Sequence, residues 1–130
     1  MDDYSWFIGI IEGEGYFGIH KPKNSPEFSI AMCDLDIMEK IAKMVDGKIN
    51  SFTPKGKTVK NTPYKKQHKI QLHGRKAFAL MEGVEPYLSE RRKEQIKGVR
   101  EAYRPKTTFT TEGYVSRKKP INIPILKTQA

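Results

Sequence analysis

The stretch Tyr4-Ser5-Trp6-Phe7-Ile8-Gly9-Ile10-Ile11-Glu12-Gly13-Glu14-Gly15-Tyr16-Phe17-Gly18-Ile19-His20 sets the pattern of the whole chain. Asp2 or Asp3 can cap a helix running from about Tyr4 to Glu12. The apolar residues Trp6 to Ile11 cover nearly its whole circumference, which predicts a helix buried on several sides. The Glu-Gly-Glu-Gly run at 12–15 is expected to end it, with glycine supplying a left-handed or strained backbone. The period then changes from helix to strand. From Tyr16 to Lys21, Phe17 and Ile19 point one way and Tyr16, Gly18 and His20 the other.

The same logic carries on to the C-terminal side. Residues Pro22 to Pro26 read as a loop. Phe28, Ile30 and Met32 alternate with Ser29, Ala31 and Cys33 in a second strand. Asp34 or Asp36 opens a helix with Ile37, Met38, Ile41, Met44 and Val45 at helical spacing, ending near Gly47. Lys48 to Thr53 reads as a third strand, Pro54 to Pro63 as a basic, mobile loop, and Tyr64 to His73 as a fourth strand. Gly74 starts a short helix through Met81, and a last helix runs from about Ser89 to Tyr103. The order α-β-β-α-β-β-α predicts an α+β domain over residues 1–103. It holds a curved, antiparallel, four-stranded sheet with helices on one face. Residues 104–130 read as a basic tail, with Arg117-Lys118-Lys119, that orders on a partner.

Charge narrows the function. Lys and Arg total 24 against 15 acids, a formal net charge of +9 that favours a polyanionic partner. Asp2, Asp3, Glu12 and Glu14 all precede the first basic residue, leaving 24 basic residues against 11 acids beyond them. From Lys48 to Lys76 there are nine basic residues and no acid. The outward face of the sheet is expected to carry Tyr16, His20, Lys21, Ser29, Lys48, Asn50, Lys65, Gln67, Lys69, Gln71 and His73. Such donors and acceptors, almost free of acids, suit base edges and flanking phosphates in a major groove. Any solvent face of a sheet is polar, but the lack of Asp and Glu there sets this one apart. Cys33 is the only cysteine, which excludes an intrachain disulfide and fits an intracellular, reducing compartment. The apolar run Ile8 to Ile11 is too short for a membrane span. His20, His68, His73 and Cys33 have no zinc-ligand spacing.

Glu12 and Glu14 close the first helix against its dipole, where a basic residue would be more stable. They read either as an exposed Gly-rich turn or as a carboxylate held for a divalent cation beside a polyanion. Gly9 and Gly13, four apart, share a helix face on which two backbones can approach closely. Two copies packed there would bring two Glu14 carboxylates towards one axis.

The run Phe7 to Gly15, preceded by Trp6 and followed by Tyr16-Phe17, resembles the LAGLIDADG motif, in the variant where Trp precedes and Gly-Glu-Gly closes. The order of elements over residues 4–103 is similar to the core of that family. The resemblance implies an intron-encoded homing endonuclease, a Mg²⁺-dependent (or other divalent-dependent) enzyme that hydrolyses double-stranded DNA. One motif per chain implies a homodimer on a long, near-palindromic site. Phe7, Gly9, Ile10 and Gly13 would then lie at the dimer interface, and Glu14 would be the metal ligand. The segment Pro86 to Arg92 places Arg91 where some members hold a basic residue near the scissile phosphate. One departure is Met32, at a position where the family often has a water-ordering polar residue. It leaves open a second reading, a maturase-like or regulatory nucleic-acid binder that cuts weakly or not at all. A third, an unrelated RNA-binding protein, would need stacking aromatics on the sheet, where Tyr16 is the only one expected.

Overall fold

A computed structural model describes residues 2–21, 24–103, 109–110, 113–114 and 121–128. It is an α+β fold, with four α-helices among the described residues and one antiparallel four-stranded sheet. Helix α1 spans Asp3–Glu14, strand β1 Tyr16–His20 and strand β2 Ser25–Met32. Helix α2 follows at Leu35–Val45, then β3 at Ile49–Phe52 and β4 at Gln67–His73. Helices α3 (Gly74–Val84) and α4 (Glu90–Ala102) complete the main body, and β5 (Phe109–Thr110) and β6 (Gly113–Tyr114) form a two-stranded hairpin. In the large sheet the order is β1-β2-β4-β3, so the two central strands come from different halves of the chain.

Strand alternation builds the core. Phe17, Phe28, Ile30, Ile70 and Leu72 point to one face and are buried there. Phe28 faces Phe17 across one strand boundary and Leu72 across the other. The helices meet this face with residues at helical spacing: Phe7 and Ile11 from α1, Met38, Ile41 and Val45 from α2. Ala77, Leu80, Met81 and Val84 come from α3, and Ile96 and Val99 from α4. Each fully buried large side chain contributes about 1.5–3 kcal/mol.

Several boundaries differ from those expected. The first helix continues through the Glu-Gly-Glu run to Glu14, capped at its start by Asp2, whose carboxylate accepts from the Ser5 N–H at 2.7 Å. That hydrogen bond holds the Asp2 carboxyl below its ordinary value. Strand β2 begins at Ser25 rather than Phe28, so Pro26 and Glu27 belong to the sheet. Helix α2 ends at Val45, two residues before Gly47, and its C-cap Asp46 takes the left-handed conformation. Helix α3 runs one turn further than Met81, because Val84 completes its buried stripe.

The loop between β3 and β4 is tied by a local turn. Lys57 bridges Pro63, and the Thr58 N–H donates to the Thr62 carbonyl at 2.8 Å. Past α4, residues 121–128 do not stand apart as a tail. Ile123 and Ile125 are buried in the core, and Asn122 donates to Asp46 at 3.3 Å. A separate basic tail starting at Arg104 therefore does not describe this segment, since two isoleucines gain more from burial than from water. Arg117-Lys118-Lys119 lies outside the described residues. Among the described residues no helix is long and apolar enough to cross a membrane.

Candidate nucleic-acid interface and carboxylate site

At the end of α1 the chain turns directly into the sheet. Gly15 is in extended backbone, not left-handed, and its N–H donates to the Ile11 carbonyl at 2.9 Å. Glycine is needed for another reason: a Cβ there would fall 2.7 Å from the Ile11 carbonyl oxygen. Glu14, the last residue of α1, is exposed, and two residues later Tyr16 opens the uncovered sheet face. Among the described residues no three Asp, Glu, His or Cys side chains gather as a metal cluster. Glu14 therefore presents its carboxylate to water at the end of α1.

Glu12 has a different role. Its carboxylate accepts from the Ser89 backbone N–H at 2.5 Å and from the Ser89 hydroxyl at 3.0 Å. Ser89 in turn caps α4, its Oγ accepting from the Arg92 N–H. A carboxylate that opposes the dipole of α1 therefore sits at the N-terminus of α4, where the dipole favours it. Arg92 closes the junction from the other side. Its Nε and Nη2 both donate to the Glu12 carbonyl, at 3.1 and 2.9 Å, and Nη1 donates to Gln95 at 3.0 Å. Its guanidinium also lies 5.5 Å from the centre of the Phe17 ring. Arg92 is 6% exposed and neighbouring Arg91 is exposed. Arg91 was the residue expected near a scissile phosphate; the arginine that binds the end of α1 is its neighbour Arg92. The signal for it was available: Arg92, Ile96 and Val99 share one helical stripe.

The uncovered face brings together most of the residues expected there. Tyr16, Ser29 and Gln71 stand in one row across β1, β2 and β4. Asn50 pairs with Lys69. His20 and His73 lie edge to face, ring centres 5.8 Å apart. Lys21, Lys48 and Lys65 lie just beyond the strand ends, not within the sheet. Two residues were missed. Glu27 is on this face, so it is not free of acids, and it receives a hydrogen bond from Gln71. Phe52, opposite Gln67 and 44% exposed, is a second aromatic besides Tyr16. Glu27 follows from strand parity once β2 is known to begin at Ser25, and Phe52 already shared the parity of Asn50 within the expected third strand. His68 belongs to the other face, 8% exposed, its Nδ1 at 2.8 Å from the Ser51 hydroxyl.

The four residues expected at a dimer interface divide. Phe7 is fully buried in its own chain's core and cannot be presented to a second copy. Gly9 and Gly13 are exposed, and a Cβ added at either would meet nothing within 4 Å. Ile10, like Trp6 and Ile8, is half-buried beside them. Met32 ends β2 and packs its side chain against the core. No protein-family model matches the chain, and no curated protein matches it either.

Proposed function

We propose that the chain is a site-specific double-stranded DNA endonuclease that acts as a homodimer and uses Mg²⁺ or a similar divalent cation. One observation carries the reading: the motif helix delivers an exposed carboxylate, Glu14, to the edge of an uncovered polar sheet face on a strongly basic chain. The two glycines add to it. Glycine inside a helix costs about 0.5–1 kcal/mol relative to alanine, and neither Gly9 nor Gly13 is needed for space within its own chain. Close approach of a second α1 gives them a purpose and sets two Glu14 carboxylates near a common axis.

The donor set suits Mg²⁺, which takes one or two carboxylates and keeps most of its shell for water and phosphate oxygens. Such a cation polarises a phosphodiester and stabilises the charge of an in-line displacement. The protein's part is to hold Glu14 in place through the Arg92–Glu12–Ser89 junction, to grip phosphates with Lys21, Lys48, Lys65 and Arg91, and to read bases with the sheet face. The LAGLIDADG arrangement, with its curved sheet saddling the groove, belongs to this same proposal.

The test is cleavage of a randomised duplex pool with Mg²⁺ by the native chain and by Glu14→Gln. Discrete cuts at a near-palindrome are expected, reduced by about a hundredfold or more in the variant, with duplex binding kept. Equal cutting by both proteins would remove Glu14 from the mechanism. The core-packed Met32 favours one alternative, a binder of the same architecture that does not cut. Sequence-specific retention of duplex without cleavage by the native chain would establish it.

A further inference from the structure

Glu27 is the one carboxylate on the uncovered face among the described residues. It stands on β2, flanked in register by Gly18 on β1 and His73 on β4. Its β1 register partner, Gly18, has no side chain of its own, and the Tyr16 ring takes that space beside the half-buried carboxylate. A Cβ at Gly18 would fall 2.3 Å from the Tyr16 hydroxyl, so the Tyr16 ring lies along the strand over that glycine. On the β4 side, its diagonal neighbour Gln71 donates from Nε2 to Oε1 of Glu27. A carboxylate can only accept, so the amide nitrogen must face it and the Gln71 carbonyl oxygen turns away. The pair still offers the second carboxylate oxygen as an acceptor, and one amide N–H of Gln71 as a donor.

A negative charge here opposes binding of every duplex alike, unless a base donates to it. In the major groove only the exocyclic amines of cytosine and adenine donate, while guanine O6 and N7 and thymine O4 accept. A glutamate carboxylate is suited to cytosine N4, and the guanine paired with that cytosine sets acceptors beside it for the free N–H of Gln71. Adenine is normally read by both ends of one Gln amide, and here the nitrogen end is shared with Glu27.

We infer that Glu27, oriented by Gln71, is a specificity-determining residue that selects an amine-bearing base, cytosine first, at one symmetric position in each half of the DNA target. The inference rests on the sheet face reading duplex DNA. In a homodimer the contact occurs twice, so a single carboxylate excludes guanine from two positions of the site.

Selection from a randomised duplex pool by the full-length native chain, Glu27→Gln and Glu27→Asp tests it, with a melting curve of each protein to confirm its fold. The native chain is expected to enrich cytosine over guanine at one position per half-site by about tenfold or more. Glu27→Gln should flatten that position alone, leave the rest of the motif, and bind unrelated duplex more tightly. Glu27→Asp keeps the charge and shortens the reach. It should lose the same preference without the gain in non-specific binding. An unchanged motif from Glu27→Gln would overturn the inference and leave DNA reading by the sheet intact. A native chain that retains no duplex at all would instead overturn the proposed DNA-binding function, and this inference with it.

Discussion

Arg92 and Arg91 are adjacent in sequence and opposite in circumstance. Arg92 places three donors at the point where α1 runs out of backbone partners, two on the Glu12 carbonyl and one on Gln95. Its removal leaves that carbonyl and the Glu12 carboxylate short of a partner. Arg92→Ala should cost about 3 kcal/mol, read as a fall of roughly 10 °C in the melting temperature. Arg92→Lys should recover only part of this, since an ammonium cannot fork as a guanidinium does. Arg91→Ala should leave stability within about 0.5 kcal/mol of the native chain and weaken duplex binding. A stability loss at Arg91 equal to that at Arg92 would contradict the division of roles.

Helix α1 is unusual because it is apolar on more sides than its own chain covers. Phe7 and Ile11 are fully buried, while Trp6, Ile8 and Ile10 are half-buried around the bare strip of Gly9 and Gly13. Lys40 shields part of Trp6, its Nζ 4.2 Å from the ring centre and 3.6 Å from Asp3. For a helix facing only water, Gly9→Ala should stabilise the fold by about 0.5–1 kcal/mol. For two helices packed through that strip, an added side chain forces them apart. Sedimentation equilibrium should show the native chain as a dimer and Gly13→Leu as a folded monomer. A native monomer at tens of micromolar, with Gly9→Ala simply melting higher, would rule out the helix-to-helix dimer.

Taken whole, the molecule separates a buried core from a charged periphery. The excess positive charge lies beyond α1, with a dense run from Lys48 to Lys76 that includes the tied loop between β3 and β4. Binding phosphates through such a surface releases counterions, so log K should fall with log salt at a slope of about −0.9 per phosphate neutralised. Duplex binding measured between low and moderate salt should therefore weaken steeply. Replacing Lys55, Lys57 and Lys60 together by Ala should flatten the slope by roughly one unit for each phosphate that is no longer neutralised. A flat response in the native chain would rule out the basic surface as a phosphate-binding surface.

Local pattern was enough for α1 to α4 and β1 to β4, but not for the short β5–β6 hairpin, which falls in the stretch expected to be an irregular tail. The change from helical to alternating spacing at Gly15 marks the end of α1 and the start of β1. The periods of α2 and β4, and the charge asymmetry, are likewise properties of neighbours along the chain. Strand limits were less legible, because Pro26 and Glu27 lack strand propensity and are held in β2 by pairing with β1, and Glu27 also with β4. Only the tertiary structure decided which distant residues meet. Glu12 and Arg92 are 80 positions apart, and Glu27 and Gln71 are 44 apart. It also decided that Phe7 faces inward while Gly9 faces out, and that Ile123 and Ile125 return to the core. The physical reason is that periodicity records which side of an element is apolar. The partner that side receives depends on register and packing between segments far apart in the chain.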